Sequence, residues 1–353
     1  MKHRYEFCTV VDRGYLPRAV ALHRSLAEAG APFRLRVLCI DELTHQVLER
    51  LALPHLETLA LGELERADLP LVEAKSSRSL PEYCWTLKPS LVLHVFAREQ
   101  ELDHVAYIDA DHLFWSDPAP VFDALDGGTV VVVPQRINDR AGRFNAGFIL
   151  FRRSEPTLDL LRWWRERCLE WSFAGLGGGN RRFGDQGYLT EWPERFPDVR
   201  VTTHPGAGLA PWNSEHHELS RRDGRVLVDG VPLLFYHHQS LRLYEGLRGF
   251  QRAGLLSSRF RWNANPVSLV WSIGRWYDFE EPERTLIWTP YVRRIAEAIA
   301  LIHDVQPDYE APRVRLSPRE LGGEVFRTLA VRPAREAVRR ARAVVSSVRA
   351  ARA

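Results

Sequence analysis

The sequence is poor in several residue types, and each scarcity narrows the possible functions. Its 353 residues include one methionine and four cysteines, and the only lysines are Lys2, Lys75 and Lys88. The cysteines form neither a C-x-x-C pair nor a zinc-ligand spacing, so we expect buried thiols in a reducing compartment. Because arginine supplies nearly all of the positive charge, a lysine inside an apolar segment calls for an explanation.

Long apolar runs and a one-sided charge are also missing. No stretch approaches the roughly 18 uninterrupted apolar residues of a membrane span, and the chain enters a strand with no signal peptide before it. The 48 basic and 45 acidic residues leave a formal net charge of +3, which gives no reason to expect a nucleic-acid partner. The sequence therefore predicts a cytoplasmic protein.

The remaining features are organised around residues 105–114, VAYIDADHLF. The apolar run is typical of a strand buried on both faces of a parallel sheet. In an extended chain Asp109 and Asp111 would project to the same side at the carboxyl end of that strand, where open α/β sheets bind ligands. Two adjacent carboxylates favour a hard cation such as Mg²⁺ or Mn²⁺, which commonly carries a diphosphate. A solvated acidic loop is the alternative.

Strand and helix patterns alternate from the start of the sequence. Residues 5–11 and 33–40 predict buried strands, and residues 15–29 and 42–51 predict helices. This order favours a doubly wound α/β sheet. The sequence lacks G-x-G-x-x-G and a Walker loop, so neither a dinucleotide fold nor a P-loop is indicated.

One lysine lies in an apolar helix. Residues 82–96 predict that helix just before the central strand, and Lys88 stands in it between Leu87 and Pro89. A charge in such surroundings needs a partner of opposite sign, so we expect Lys88 to meet an anion rather than solvent.

Two later stretches place polar residues at the boundaries of predicted elements. In the strand that begins at residue 144, Asn145 and Gly147 indicate close approach of a ligand, or else a β-bulge with a hydrogen-bonded asparagine. Asp185 and Gln186 open a predicted helix that runs to about residue 192. Asp185 could be its N-cap, although a capping aspartate does not need the glutamine.

A final group of candidates follows the strand at residues 232–236. His237 and His238 offer imidazoles to a divalent metal, and Arg242 suits a phosphate. Two histidines at a strand end are also commonly surface residues.

Taken in order, these stretches resemble the GT-A glycosyltransferases, and among them the glycogenin and lipopolysaccharide galactosyl- and glucosyltransferase family, glycosyltransferase family 8. The resemblance covers about residues 4–242. Its anchors are the opening strand with Tyr15, the Lys88 helix, Asp109-Ala110-Asp111, Phe144-Asn145-Ala146-Gly147, Gly184-Asp185-Gln186-Gly187 and His237. The late family motif H-x-x-G-x-K-P-W is altered, because Ser240 replaces the glycine, Arg242 replaces the lysine and no Pro-Trp follows.

The resemblance implies a role for each matching residue. It implies a mixed, mostly parallel sheet flanked by helices, a nucleotide-sugar donor with UDP as carrier, Mn²⁺ or Mg²⁺, and hexose transfer with retention of configuration. The acceptor is not given by the resemblance, and our hypothesis is a glycan, a glycolipid or another hydroxyl compound. The implied catalytic residues are Asp185, Asn145, Gln186 and Lys88. The implied cofactor-binding residues are Thr9, Val11, Tyr15, Asp109, Ala110, Asp111, Gly147 and Arg242. The implied metal ligands are Asp109, Asp111 and His237, with His238 as the alternative to His237.

The last quarter of the chain changes character. We predict a catalytic domain at residues 1–265 and a helical extension at 266–353 that ends in an arginine-rich amphipathic helix. Such a helix can lie on an anionic membrane, which predicts peripheral association with the inner face of the cell membrane. The alternative is a solvated tail or a helix packed on the core.

Two other function classes fit parts of the pattern. A metal-dependent nucleotidyltransferase or sugar-nucleotide hydrolase would also use a carboxylate pair, but it would need a longer glycine- and arginine-rich N-terminal loop than residues 12–15. An inactive GT-A domain that serves as a binding or scaffold protein would fit the altered late motif.

Overall fold

The structure is a computed structural model that describes residues 5–30, 32–137, 142–175, 183–196, 198–256, 260–273, 277, 281–326 and 328–329. It divides into two compact units. The first comprises Met1–Gln239 with Phe279–Ala311, and the second comprises Ser240–Asp278 with Pro312–Ala353.

The first unit contains twelve described strands. They are β1 (Tyr5–Val11), β2 (Phe33–Cys39), β3 (Leu56–Ala60), β4 (His104–Ile108), β5 (His112–Phe114), β6 (Val130–Pro134), β7 (Phe144–Arg152), β8 (Val199–Val201), β9 (Leu219–Arg222), β10 (Arg225–Val228), β11 (Val231–Pro232) and β12 (Phe235–His237).

Helices alternate with these strands, as the sequence predicts. They are α1 (Leu16–Glu28), α2 (Glu42–Leu51), α3 (Leu61–Ala67), α4 (Pro70–Ser76), α5 (Leu80–Arg98), α6 (Ala119–Asp123), α7 (Glu155–Glu170) and α8 (Trp192–Arg195). A 3₁₀ turn, Gln186–Glu191, leads into α8. Near the end of this unit come the one-turn α10 (Glu281–Glu283), a π-helical turn (Arg284–Trp288) and α11 (Thr289–Val305). Four elements that precede α10 in the chain lie in the second unit: β13 (Arg242–Tyr244), α9 (Arg248–Arg252), β14 (Arg261–Asn263) and β15 (Leu269–Ser272).

Seven strands form the central sheet in the order β3-β2-β1-β4-β7-β6-β8. Strand β1 runs parallel to β2 and β4, β2 runs parallel to β3, and β6 runs parallel to β8. Only β7 among them is antiparallel to its neighbours, β4 and β6. The prediction of a mixed, mostly parallel sheet flanked by helices is confirmed.

The sheet is buried on both faces along its middle strands. Every residue of β1 is buried, and so are four of the five residues of β6. Helices α5 and α7 contribute apolar side chains to the same core as β4, β6 and β7. A strand covered on both faces needs an unbroken apolar run, which is why residues 105–108 and 130–133 show no alternation.

Helix α5 shows how its sequence signals act. Ser79 and Glu82 form a reciprocal capping box, so the helix begins at Leu80, two residues before the predicted start. Pro89 lies inside the helix rather than in its first turn. Proline has no N–H to donate to the preceding turn, and this long, largely buried helix tolerates the loss of that hydrogen bond.

Helix α11 explains why the first unit includes a segment from late in the chain. Its buried face, which includes Tyr291, Ile295 and Ile299, packs against α1 and α2. Pro290 stands at its first turn, as the sequence indicates. The two compact units therefore do not meet at residue 265, where the sequence predicts the end of the catalytic domain. The reason is that the apolar face of α11 packs on helices of the N-terminal half of the chain.

Two small sheets complete the first unit. Strands β9, β10 and β11 form an antiparallel sheet, and Asp223 and Gly224 make a hairpin turn with φ of 51° and 77°. Strand β12 pairs antiparallel with β5, so that His237 stands opposite His112. This second pairing brings a late histidine to the end of the central strand β4.

The second unit is built on a three-stranded antiparallel sheet in the order β13-β15-β14, from β13 (Arg242–Tyr244), β14 (Arg261–Asn263) and β15 (Leu269–Ser272). Helices α9 (Arg248–Arg252) and α12 (Pro318–Phe326) belong to it. Tyr244, Leu247, Leu256, Phe260 and Val270 form its core. Most of the predicted arginine-rich helix, residues 330–353, lies outside the described residues. Within the described part of the chain, no helix has the length and apolar character that crossing a membrane requires.

Candidate active site

The two aspartates lie in a tight turn between β4 and β5. The backbone N–H of His112 donates to the carbonyl of Asp109 at 3.1 Å, and the N–H of Asp109 donates to the carbonyl of Gly147 at 2.8 Å. The expectation that both carboxylates leave an extended strand on one side is therefore wrong. The turn gives each aspartate its own set of neighbours.

Asp109 faces a buried lysine. The Lys88 ammonium lies 3.1 Å from Asp109 Oδ1 and 3.0 Å from Asp185 Oδ2, and it donates to the Ala146 carbonyl at 3.2 Å. Tyr107 donates its hydroxyl to Asp109 Oδ1 at 2.8 Å. Burial works against the charge of Lys88, but the two carboxylates raise its pKa above the ordinary value. The expectation that Lys88 meets an anion is confirmed.

Asp185 serves as a partner of Lys88 rather than as a helix cap. Its side chain makes no capping hydrogen bond to the 3₁₀ turn that it precedes. Burial raises the pKa of the Asp185 carboxyl, Lys88 opposes that rise and Asp109 adds to it. The Trp164 indole N–H donates to the Asp185 carbonyl at 3.1 Å and so fixes the backbone there.

Asn145 and Gln186 are linked to each other through the start of β7. The amide of Asn145 donates to Gln186 Oε1 at 3.4 Å, and the Ala146 N–H donates to the same oxygen at 3.1 Å. Asn145 Oδ1 accepts from the Gly147 N–H at 2.7 Å. The register between β6 and β7 shifts here, so the bulge with a bonded asparagine is present. This bulge lies beside the turn of Asp109 and Asp111, because the Asp109 N–H donates to the Gly147 carbonyl. A ligand bound at the turn would therefore also come close to Asn145.

Asp111 faces a histidine. His237 Nε2 lies 3.1 Å from Asp111 Oδ1, and both side chains are almost fully buried. Burial acts to raise the pKa of Asp111, yet the pKa lies below the ordinary value because His237 and, more weakly, His112 stand beside the carboxylate. A carboxylate and an imidazole in contact are a common pair of metal ligands.

His112 was missed as a site residue by the sequence reasoning. Within the described chain, Asp111, His112 and His237 form a group of metal-ligating type, with one ligand atom from each residue and all three atoms within 4.8 Å of one another. The sequence signal for this role is the position of His112 directly after Asp111, which puts a third side chain of metal-ligating type next to the two aspartates. Its approach to His237 depends on the β5–β12 pairing, which the sequence does not reveal.

His238 has different surroundings. Its ring stacks on Tyr291 with centroids 3.7 Å apart, and Trp288 meets its ring edge-on at 5.3 Å. Its backbone N–H donates to the Asp111 carbonyl at 2.8 Å. Of the two histidines left open by the sequence, His237 is the one whose side chain meets Asp111.

The residues predicted to hold the nucleotide base lie at the end of β1 and just after it. Thr9 and Val11 are buried within β1. Tyr15 precedes α1, is 41% exposed, and lies under the Arg18 guanidinium at 4.4 Å from the ring centroid. Ala110, in the acidic turn, is buried. Thr9, Val11 and Ala110 are therefore hidden from solvent, whereas Tyr15 presents a partly exposed ring.

Arg242 lies in the second unit, at the start of β13, and is exposed. Its role toward phosphate stays a prediction. Ser240, which replaces the family glycine, has φ of 72°. This left-handed conformation favours glycine, so the backbone at residue 240 has the conformation that a glycine would adopt most easily.

The residues around Asp111 fit a divalent cation. A carboxylate and imidazole nitrogens are suitable donors, and Gly147 leaves room for them. A Cβ at residue 147 would come within 2.7 Å of His237 Cε1 and 2.9 Å of His112 Cε1. Asp111, His112 and His237 are the side chains of metal-ligating type that meet here, and the predicted ligand Asp109 contacts Lys88 and Tyr107 instead of this group.

Comparison with known proteins places the chain among relatives of similar length. It is 39% identical over 251 residues to the uncharacterized protein YfnF of Bacillus subtilis strain 168, which covers 67% of this chain and 82% of YfnF. It is 30% identical over 313 residues to the uncharacterized protein YfnD of the same organism, which covers 86% of this chain and 93% of YfnD. The chain belongs to the family of YfnF and YfnD. A scan against protein-family models finds no match.

Comparison of structures finds glycosyltransferases. One of them is the galactosyltransferase LgtC in complex with donor and acceptor sugar analogues, with a TM-score of 0.45 and 15% identity, covering 66% of this chain and 86% of LgtC. Such a distant likeness assigns no activity to the YfnF and YfnD family.

Proposed function

We propose that the protein is a metal-dependent, retaining glycosyltransferase that moves a hexose from a nucleotide sugar, with UDP as carrier, to a hydroxyl acceptor. One observation carries the proposal. Residues that are far apart in the sequence meet at one edge of the sheet, where Lys88 contacts Asp109 and Asp185, and Asp111 contacts His237. Open α/β sheets bind their ligands at this carboxyl edge.

The donor is best accommodated with its base toward β1 and its diphosphate toward the acidic turn. The exposed ring of Tyr15 can stack on a base, and the carboxyl end of β1 lies next to β4 in the sheet. A cation on Asp111 and His237 would supply positive charge for the diphosphate. Thr9, Val11 and Gly147 would bring backbone groups close to the donor.

The transferred sugar belongs beside Asp185, Asn145 and Gln186. These side chains are connected to the acidic turn by short contacts, since Lys88 bridges Asp109 to Asp185 and Gln186 accepts from the backbone of Ala146. Carboxylate and amide groups fixed in this way can accept hydrogen bonds from sugar hydroxyls and orient the anomeric carbon. Lys88 holds its charge at neutral pH, because the two carboxylates raise its pKa.

The reaction breaks the bond between the anomeric carbon and the β-phosphate oxygen and forms a bond to the acceptor oxygen. Negative charge grows on the departing phosphate, and fixed positive groups stabilise that charge more in the transition state than in the ground state. Asp185 is paired with Lys88, which weakens it as a nucleophile. We therefore propose departure and attack on the same face, with the acceptor proton passing to the departing phosphate.

The acceptor is proposed to be a glycan or glycolipid. A cytoplasmic enzyme with a basic C-terminal segment at the inner face of the cell membrane would meet such acceptors. Support for the membrane contact comes from composition alone, since residues 331–353 contain seven arginines and one glutamate.

The direct test is turnover of a panel of nucleotide sugars with Mn²⁺, in the presence and absence of candidate acceptors. We expect UDP release that depends on the metal and rises with acceptor, and a product of retained configuration by NMR. Asp109→Asn should reduce the rate by about 100-fold, while Asp159→Asn, which changes an exposed aspartate on α7, should not. Release that no acceptor stimulates would instead support a sugar-nucleotide hydrolase. Binding without release would support a scaffold protein.

A further inference from the structure

We infer that His112 is a direct ligand of the cation, so that two imidazoles stand beside the Asp111 carboxylate in the metal site. The inference rests on the proposed function, because it concerns the cation of the same donor site. The family resemblance implies only Asp109, Asp111 and one late histidine as ligands. His112 is a feature of this chain that the resemblance does not supply.

The first support is the position of the His112 ring. Strands β5 and β12 pair so that His112 and His237 stand opposite each other. Their rings are stacked, with centroids 4.2 Å apart and planes at 27°. Together with a carboxylate oxygen of Asp111, each histidine offers one nitrogen to a cluster in which all three atoms lie within 4.8 Å of one another. One ion can be shared by atoms at such distances.

The second support is the hydrogen bond on the other side of the His112 ring. Its Nδ1 lies 3.0 Å from the carbonyl oxygen of Asp109, an oxygen that can only accept. Nδ1 therefore carries the proton, and Nε2 is left with its lone pair. Metal-ligating histidines commonly have this arrangement, with one nitrogen bound to a carbonyl or carboxylate and the other to the metal.

The third support is the space around the rings. Gly147 N–H is bonded to Asn145, and a Cβ at residue 147 would come within 2.9 Å of His112 Cε1 and within 2.7 Å of His237 Cε1. The backbone of β7 thus lies close to both imidazoles, with no room for a side chain between them. A residue other than glycine at this position would push them apart.

The donor set then decides the kind of metal. Mg²⁺ prefers oxygen ligands in a strict octahedron and keeps its waters, whereas imidazole suits transition metals. Asp109, the second carboxylate that Mg²⁺ would favour, is held by Lys88 and Tyr107. One carboxylate with two imidazoles is therefore a poor site for Mg²⁺, and among transition-metal ions it should bind Co²⁺ more tightly than Mn²⁺.

The experiment uses the full chain with Mn²⁺ alone and with Mn²⁺ plus UDP. Electron spin echo modulation of bound Mn²⁺ should show coupling to the nitrogens of both histidines in the wild type, and to one of them in His112→Gln and His112→Phe. The phenylalanine variant retains a ring for packing and removes the ligand atom. His216→Gln, at an exposed histidine, is the control and should leave both couplings intact.

Metal titrations provide a second readout. The preference for Mn²⁺ over Mg²⁺ should fall by about 10- to 100-fold in His112→Gln. A histidine that only packs in the core would lower the affinity for both metals equally, so an unchanged ratio with an unchanged nitrogen signal would overturn the inference. Loss of one nitrogen coupling in a protein that turns over no nucleotide sugar would leave this inference standing and refute the proposed transfer reaction.

Discussion

At the scale of single residues, Lys88 determines how the site is charged. It is 3% exposed and has a carboxylate on each side, at 3.1 Å from Asp109 and 3.0 Å from Asp185. A buried ammonium without such partners would be very costly. The ion triad therefore fixes Asp109 and Asp185 relative to each other, and it also places a permanent positive charge beside the proposed donor.

Replacing Asp185 by asparagine tests this triad. The variant retains the shape of the side chain but leaves Lys88 with one carboxylate, so the sugar and the ammonium lose a fixed partner. We expect kcat to fall by about 100-fold with little change in the KM for the donor, measured by steady-state UDP release. If kcat/KM falls by a similar factor because KM rises while kcat is unchanged, Asp185 acts in donor binding and not at the transferred sugar.

The charged partners of Lys88 are largely predictable from the sequence. A lysine in an apolar helix predicts a buried counter-charge, and the structure confirms it with Asp109 and Asp185. The role of His112 could not be predicted in the same way. It depends on contact with His237, 125 positions later, through a pairing of two three-residue strands. Strands this short carry no periodicity that would reveal their register.

At the scale of secondary-structure elements, three strands meet around the proposed cation. The turn after β4 supplies Asp111, β5 and β12 supply the two histidines, and β7 supplies the backbone of Gly147 against which the rings rest. The exact approach of β7 is therefore part of the site.

A Gly147→Ala substitution tests the approach of β7. The added methyl group would lie 2.6 Å from Asn145 Oδ1 and 2.7 Å from His237 Cε1, so the strand or the rings must move. We expect a loss of about 1–3 kcal/mol in the free energy of unfolding and a fall in Mn²⁺ affinity of about tenfold or more. Urea denaturation and metal titration measure these two effects. Gly249→Ala is the matched control, because no atom lies within 4 Å of its added Cβ and its φ is not positive. Equal effects at both positions would contradict the account.

A buried carboxyl group supports β12 from the other side. Glu283 accepts from the hydroxyls of Tyr236 at 2.5 Å and Ser214 at 2.9 Å, and from the indole N–H of Trp288 at 3.2 Å. Tyr236 directly precedes His237 in β12. Burial is the main cause that raises the pKa of Glu283, and the three donors oppose it. The folded protein thus binds the Glu283 proton more tightly than the unfolded chain does.

The raised pKa of Glu283 makes the stability of the fold depend on pH. A folded-state pKa above the unfolded value gives stability that is fully present at low pH and is lost as pH rises through the folded pKa. Glu283→Gln has no proton to lose there. As pH rises from about 4.5, we expect the free energy of unfolding of the variant to increase relative to that of the wild type. The increase should be about 1.4 kcal/mol for each pKa unit by which folding raises the pKa of Glu283. Urea denaturation at pH 5 to 8 measures this difference. Parallel pH profiles would show that Glu283 is not responsible.

The elements were largely predictable, because long apolar or amphipathic runs set them locally. The alternation of β1, α1, β2 and α2 follows from such runs, and so does the β9–β10 hairpin turn. The turn at Asp109–Asp111 was not predictable from periodicity, since a two-residue alternation looks the same in a strand and in a turn. The return of α11 to the N-terminal half also required knowledge of the tertiary core.

At the scale of the whole molecule, the basic C-terminal segment predicts where in the cell the protein works. Seven arginines between residues 331 and 353 would be attracted to anionic lipid by about 1 kcal/mol each near the surface. We expect the full chain to sediment with phosphatidylserine vesicles, and a chain without residues 331–353 to remain largely in the supernatant. This truncation leaves α12 intact. Equal sedimentation of both proteins would refute the membrane proposal, and binding to neutral vesicles would exclude an electrostatic cause.

The central claim is that one sheet edge binds a nucleoside diphosphate through a cation on Asp111. Calorimetric titration of UDP with Mn²⁺ present, and again after chelation, tests that claim most directly. We predict a Kd on the order of micromolar for the wild type, with binding lost after chelation and in Asp111→Asn, but retained in the exposed-site control Asp159→Asn. UDP binding that is indifferent to metal and to Asp111, or no binding at all with Mn²⁺ present, would contradict the account.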